Sequence, residues 1–437
     1  MENLHKVSVA ILSWNGKHHL EICLEALERQ RDPGVAWEVV VLDNGSKDGT
    51  AAWLAERHPR VRLVESPVNL GFCAGTNRLM EACDGDAVAL LNNDTKPEEG
   101  WLAALVDGLR GAPEDVAAVS GCIVDWSGER LDFGRGVMAF DGHAFQLDFR
   151  RPLGRAQIPE HGTELPFACG GNLLIRKRSF VAAGGFDESY FAYLEDVDLG
   201  WRLWSGGERV TFVPDAVVRH RSSATSDLLG LYNRGFLFER NAFLTAYKNY
   251  EDGLWQKMLP AVLLTVTART QHLMETRNPG GGLLAIDPYA GHIADTAPRN
   301  ASAAAPAGQI HATRLERWRR YGKRELLGRA FLKLAKTIWP QAPALTPPCL
   351  TDEQTVAHLR AHAFILRHLE QAAEARQAVQ TRRRRPDADY FARFPAYLVP
   401  TYPGDQSLFQ DPGFRAWLPP ELPLIECSLG EILQMDG

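Results

Sequence analysis

The chain has 437 residues, of which 45% are hydrophobic, 23% charged and 9% aromatic, values that exclude a disordered, collagen-like or small disulfide-stapled protein. At roughly 150 residues per domain the length allows about three units. The formal net charge of −6 leaves no global basic footprint, so nucleic acid is not expected as a partner.

The first stretch alternates short apolar runs with helical patterns. Residues 7–12 read as a strand and 18–29 as a helix with Leu20, Cys23, Leu24 and Leu27 on one face. A strand at 38–42, a capped helix at 46–57 and strands at 61–64 and 87–91 follow, with a helix at 74–82 between the last two. This alternation implies parallel strands with helices on both faces, and continuous apolar strands imply burial on both sides. Many Gly and Asp weaken the pattern over 118–166, where irregular strands and loops are expected. Regularity resumes over 167–250. Residues 278–308 are rich in Gly, Ala and Pro and read as a linker. Helical patterns return at 314–339 and 352–380, the basic run Arg382 to Arg385 reads as a solvated helix end, and the Pro- and aromatic-rich last 50 residues read as a tail packed against something. The expected organisation is a domain over 1–250, a helix and linker over 251–310, and a helical extension over 311–437.

Seven cysteines without a Cys-x-x-Cys pair read as reduced thiols. No leader is visible before the first strand, and the apolar stretch 258–268 is too short to span a bilayer. These features point to the cytoplasm.

Ligands of a parallel sheet bind beyond the carboxyl ends of its strands. None of the loops there is a G-x-G-x-x-G or P-loop sequence, which excludes a hydride-transferring dinucleotide enzyme and a P-loop NTPase. Asp94 follows a buried strand. It could hold a hard divalent cation whose remaining ligands are phosphates, or cap the following helix. Glu195, Asp196 and Asp198 place three carboxylates in four positions. Mutual repulsion raises at least one pKa and suits a general base, while an acidic first helical turn is also favoured by the macrodipole. Asp198 reads as the latter and Asp196 as functional.

Eight blocks then follow in order: Ser13-Trp14-Asn15 after the first strand; Asp43-Asn44-Gly45-Ser46; Asn69-Leu70-Gly71 through Asn77; Asn92-Asn93-Asp94; Gly170-Gly171-Asn172; Gly184-Gly185-Phe186-Asp187; Glu195-Asp196-Val197-Asp198; and Val213-Pro214-Asp215 through His220. Together they resemble glycosyltransferase family 2, the inverting nucleotide-sugar enzymes, and most of all its bacterial rhamnosyltransferase-like branch. The resemblance covers a little over half the chain.

It implies an α/β GT-A (Rossmann-like) fold with a mixed, mainly parallel sheet flanked by helices, here followed by a mainly helical C-terminal extension. It makes Asp43 the acceptor for the donor base. Ser13, Trp14 and Asn15 lie on the neighbouring loop, Asn69, Gly71 and Asn77 around a turn beside the nucleotide, and Asn92 and Asn93 before the metal carboxylate. Gly170 and Gly171 lie where the backbone approaches the donor sugar. Asp94 and His220 become ligands of Mg²⁺ or Mn²⁺; the family's D-x-D stands here as Asn-Asn-Asp, with one carboxylate instead of two. Asp196 becomes the general base and Glu195 its neighbour, while Arg240-Asn241 reads as structural. The implied partners are a nucleoside-diphosphate sugar and a glycan or lipid-linked glycan acceptor, in synthesis of a bacterial surface polysaccharide or glycoconjugate. Rhamnose from a dTDP donor is the expected sugar; the alternatives are a UDP-hexose or UDP-galactofuranose donor, and a nucleotide-sugar-binding module without turnover. Residues 314–336 carry nine basic and two acidic side chains, and fit either a helix on the inner face of an anionic membrane or one docked with a solvated basic face.

Overall fold

The computed structural model describes residues 4–221, 231–282, 349–402 and 404–433. Strands β1 (Lys6–Ser13), β2 (Ala36–Asn44), β3 (Arg62–Ser66) and β4 (Ala87–Leu91) pair in parallel in the order β3-β2-β1-β4. Their apolar residues are covered on both faces, which is why they show no polar alternation. The sheet continues through β5 (Thr95–Pro97), β6 (Val116–Asp125) and β7 (Leu131–Phe133), while β8 (Gly136–Met138) and β9 (Ala144–Gln146) form a separate hairpin. Strands β10 (Asn172–Arg176) and β11 (Arg209–His220) complete the order β3-β2-β1-β4-β10-β6-β11-β5, with β7 paired to β6.

One reversal matters for the site. Strand β10 runs antiparallel to both β4 and β6, with Asn172 opposite Leu91. Its first residues therefore sit at the edge where the parallel strands end. The expected mixed, mainly parallel sheet flanked by helices is what the chain adopts.

The irregularity expected over 118–166 is corrected at its start, where β6 is a ten-residue, almost fully buried strand. Its small residues hid it. A Cβ on Gly121 would come within 2.3 Å of the Ala216 carbonyl and 2.4 Å of the Asn172 amide, so close packing, not β-branched bulk, sets the composition there.

Helix α1 (Lys17–Glu28) buries Leu20, Cys23, Leu24 and Leu27 as its spacing predicts. Helix α2 (Thr50–Arg57) begins later than expected, because the Asp48 carboxylate accepts the Thr50 N–H at 3.2 Å. Then come α3 (Gly71–Ala82), α4 (Trp101–Gly111), α5 (Lys177–Ala183), α6 (Glu195–Ser205), α7 (Leu231–Asn249) and α8 (Asp252–Arg277).

The helical pattern over 352–380 is two helices, α9 (Glu353–Arg367) and α10 (Leu369–Arg382). After them come α11 (Asp387–Arg393), β12 (Ala396–Leu398), α12 (Asp405–Gln410), α13 (Pro412–Arg415), β13 (Leu424–Glu426) and α14 (Leu429–Leu433), with β12 and β13 paired in parallel. The tail packs on the sheet domain. Tyr390 stacks on Trp201 of α6 at 5.3 Å between centroids, and Phe391 meets the same ring edge-on at 5.5 Å. A buried aromatic of that size removes on the order of 200 Å² from water, about 5 kcal/mol before entropy. The basic run does end α10, with Arg382 and Arg384 exposed, but it is also anchored: the Arg384 and Arg385 backbone N–H groups donate to Ser205 O, and Arg383 Nη1 pairs with Asp387 at 2.9 Å.

Packing separates Met1–His272 with Glu353–Gly437 as one unit and Leu273–Asp352 as another. In the second, Asn278 Oδ1 accepts the N–H groups of Thr351 and Asp352 at 2.9 and 3.0 Å. The expected helix over 314–339 and most of the linker lie outside the described residues. Among the described residues, no helix is long and apolar enough to cross a membrane.

Candidate active site

A cavity of about 450 Å³ opens at the carboxyl edge of the sheet. Trp14, Asn69, Gly71, Asn92, Asn93, Asp94, Gly170, Gly171, Glu195, Asp196 and His220 all line it. These sequence-named residues come from six separate blocks of the chain. Ser13, Asn15, Asp43 and Asn77 are not in its lining. Ser13 Oγ accepts from Asn93 Nδ2 at 3.1 Å, and Asp43 Oδ1 accepts the Ser46 N–H at 3.0 Å. Asn15 Oδ1 accepts the Lys47 N–H at 2.7 Å, tying the loops after β1 and β2 together. Asn77 holds the 185–186 turn, with its amide bonded to both N–H and C=O of Phe186 at 2.9 Å.

The acidic pair is delivered by a strained loop. Phe191, Tyr193 and Leu194 have φ of +64°, +72° and +62°, a region that costs such residues on the order of 1–3 kcal/mol each. The loop is held from two sides. Phe191 O accepts the N–H groups of Phe72 and Cys73 at the start of α3, at 2.7 and 3.1 Å. Asn241 Nδ2 donates toward the carbonyls of Ala192 and Tyr193 at 2.8 and 2.7 Å, and Arg240 Nη2 to Tyr190 O at 2.6 Å. Gly71, at φ +82°, leaves room for the Phe191 ring, which a Cβ there would meet at 2.5 Å.

Beyond the loop, α6 begins with Glu195 and Asp196. Asp196 Oδ2 accepts the Gly170 N–H at 3.1 Å and Oδ1 its neighbour Val197 N–H at 2.9 Å. Glu195 Oε2 is buried with no partner among the described residues. Burial, then the Asp196 charge, raise Glu195 to about 8. Burial also raises Asp196, against the N–H groups that favour its charged form. The two titrate as a pair. Asp198 is fully buried and ion-paired to Arg202 and Lys248 at 2.8 and 3.1 Å, away from the cavity lining.

Asp94 and His220 face each other, Oδ1 to Nε2, at 3.4 Å. Asp132 holds the other ring nitrogen, Nδ1, at 2.8 Å. Burial works against a charged imidazole here, yet Asp132 and Asp94 raise His220 to about 10. A carboxylate behind a histidine whose outer nitrogen faces a second carboxylate is the arrangement that orients metal-binding imidazoles. It fits a hard dication that takes phosphate oxygens as its other ligands. Among the described residues, no group of three or more His, Cys, Asp or Glu is placed to hold an ion alone.

Several lining residues escaped the sequence reading: Asp132, Gln146, Phe149, Cys169, Tyr193 and Phe238. Phe149, Cys169 and Tyr193 lie in irregular segments and Asp132 and Gln146 in three-residue strands, where no periodicity marks them. Asn241 was legible only as part of a pair with Arg240.

The chain matches the family model Glycosyl transferase family 2 over residues 8–182. It is 30% identical over 292 residues to an N-acetylglucosaminyl-diphospho-decaprenol L-rhamnosyltransferase of Mycobacterium tuberculosis, covering 61% of this chain and 92% of the relative. A pre-mycofactocin glycosyltransferase of the same organism is 31% identical over 186 residues, 42% of this chain and 37% of that one. A crystal structure of GalNAc-T7 with UDP, GalNAc and Mn²⁺ superposes on 60% of this chain and 52% of its own, with TM-score 0.46 and 15% identity. The chain belongs to glycosyl transferase family 2, in its rhamnosyltransferase-like branch, and is a glycosyltransferase.

Proposed function

We propose that the protein moves L-rhamnose from a dTDP donor to a hydroxyl of a glycan or lipid-linked glycan acceptor, inverting the anomeric carbon, in synthesis of a bacterial surface polysaccharide or glycoconjugate. The observation that carries this reading is Asp196, fixed by two N–H groups in the same cavity as Asp94 and His220. The activity for which the M. tuberculosis relative is named supports the sugar and the acceptor type.

Asp196 takes the proton of the acceptor hydroxyl as its oxygen attacks the anomeric carbon and the nucleoside diphosphate leaves from the opposite face. One displacement with one base inverts the centre. A carboxylate raised by burial is a better proton acceptor than one in water. Glu195, whose neutral form burial and the Asp196 charge favour, keeps a second negative charge away from Asp196 and offers its carboxyl to the acceptor. Gly170 and Gly171 let the backbone lie close to the donor sugar. Asp94 and His220, oriented by Asp132, would hold Mg²⁺ or Mn²⁺, and such an ion supplies Lewis-acid neutralisation of the leaving diphosphate. A lipid-linked acceptor would bring the enzyme to the inner membrane surface, where the basic residues 314–336 would meet anionic lipid.

The test is thermal stabilisation and transfer with dTDP-rhamnose, UDP-galactofuranose and UDP-hexoses, each with Mg²⁺ or Mn²⁺. Stabilisation and turnover by dTDP-rhamnose is the expected result. A response to a UDP-sugar alone changes the donor and keeps the chemistry; binding without turnover supports the non-catalytic module; no response to any donor sinks the reading.

A further inference from the structure

Residues 376–385 carry five arginines and no carboxylate. Charge runs of that kind normally face water. This one meets the carboxyl ends of three helices. Ala183, the last residue of α5, accepts from Arg382 Nη1 at 3.1 Å. Ser205, the last residue of α6, accepts the backbone N–H groups of Arg384 and Arg385 at 2.7 and 2.9 Å. The end of α7 is held by three side chains. Arg376 donates to Tyr247 O and Arg383 to Asn249 O, while Gln380 Nε2 reaches Lys248 O and Tyr250 O at 2.8 and 3.1 Å. A helix ends in carbonyls without partners in its own turns, and the macrodipole makes that end negative. The segment supplies both the donors and the positive charge.

Two of these helices control the acidic pair. Helix α6 starts with Glu195 and Asp196, which line both the cavity at the sheet edge and a second, adjoining one of about 540 Å³. Helix α7 holds the loop before α6 through Arg240 and Asn241, and Thr245 Oγ1 meets the Tyr190 hydroxyl at 2.8 Å. Its last turn also holds α6 itself. Asn249 Nδ2 donates to Asp198 Oδ1 at 2.8 Å, and Lys248 bridges Asp198 and Asp187. A loop with three residues at positive φ persists only where its surroundings over-determine it. The donor side is fixed in another way: Asp43 pairs in register with Ser13, and Asp94 stands between β4 and β5.

We infer that Arg376, Gln380 and Arg383 are positioning residues for transfer: they fix the end of α7, and through α7 and α6 the place of Asp196, without touching donor or acceptor. The kinetic consequence rests on the transferase reading; the anchoring does not.

The experiment is amide hydrogen exchange on the full chain, followed by turnover of dTDP-rhamnose with octyl β-N-acetylglucosaminide in Mn²⁺. Gln380→Leu and Arg376→Leu remove donors from the end of α7, and Arg376→Lys keeps one. The amides to follow are Phe72 and Cys73, bonded to Phe191 O, and Gly170, bonded to Asp196. In the Leu variants they should exchange on the order of tenfold faster or more, with β1 and β2 unchanged. Affinity for dTDP and the donor KM should stay within about twofold while kcat falls on the order of tenfold, and Arg376→Lys should behave like the parent. Burial holds the Asp196 carboxyl above its usual range, so a loosened pair should move the acid limb of the kcat profile to lower pH. The inference is overturned if the three amides exchange as in the parent, or if kcat is unchanged while they loosen. It is also overturned if β1 and β2 loosen in step, because the segment would then support the whole fold and not the pair. If the parent turns over no dTDP-rhamnose, the reading of that donor fails instead, and the three amides still decide whether the segment anchors the pair.

Discussion

The two cavities that meet at Glu195 and Asp196 are made from different kinds of chain. Most polar groups of the first sit at strand ends, and the strand register puts them there: Asn92, Asn93 and Asp94 follow β4, His220 ends β11, and Gly170 and Gly171 precede the reversed strand β10. The second is walled by a hairpin, an aromatic loop and residues 401, 402 and 433. A sheet edge is a rigid place for chemistry common to many relatives. The wall at 401 and 402 can change without disturbing that chemistry, so it is the natural place for what distinguishes one enzyme from another.

The comparison can be broken most sharply at the shared wall. Asp196→Asn should reduce transfer on the order of 10²–10⁴-fold while nucleotide affinity is kept; retained transfer, measured with labelled donor, would move the base elsewhere. On the sheet side, Asp132→Asn should weaken metal-dependent nucleotide binding by roughly 10–100-fold, because His220 loses its orienting partner. Titration with Mn²⁺ and nucleotide checks this, and an unchanged affinity would remove His220 from the metal's surroundings. The loop that joins the two sides depends on Asn241. Asn241→Ala should cost about 2–3 kcal/mol by denaturant unfolding and lower turnover more than donor affinity.

The smallest effect is on the other side, in the buried charges behind the second cavity. Burial works against a charged His143, but Asp141 and Glu239 raise it to about 9 from an ordinary 6.5. Arg269, Tyr402 and His358 also face this group. Because the folded value is the higher one, the stabilisation is complete below about pH 6.5 and is lost as pH rises toward about 9. Stability should fall by on the order of 2 kcal/mol between about pH 7 and 8.5, and His143→Gln should flatten that slope. An equal slope in the variant would assign the drift to other groups.

The first half of the fold was legible because β1, β2 and β4 are buried on both faces and so read as unbroken apolar runs. Strand β6 was not, because Gly121 and its small neighbours answer to Asn172 and Ala216, residues no local window contains. The same division holds for the site. Asp94, Asp196 and His220 end strands or begin helices and could be named from the resemblance. Asp132 lies in a three-residue strand too short to show a pattern, and Phe149 in a turn whose position only the folded chain sets. Asn241 was visible, but its work is done on backbone carbonyls of the 190–193 loop, and sequence carries no sign of a loop's φ angles. The tail's aromatic content announced burial without saying against what, since Tyr390 finds Trp201 across nearly 190 positions of chain.

That last contact has a consequence for how the protein is born. A ribosome delivers the sheet first, and N-terminal portions begin to fold during synthesis. The parallel strands, Asp94 and the acidic pair are all present before residue 221 has emerged. The wall that holds Thr401 and Tyr402 emerges some 180 residues later and must then close over very long loops, which is slow. Until it does, Trp201 and Trp204 lack the aromatic partners that cover them, and the newborn chain carries an open apolar face. Loss of residues 386–433 would therefore leave that face exposed to chaperones and proteases.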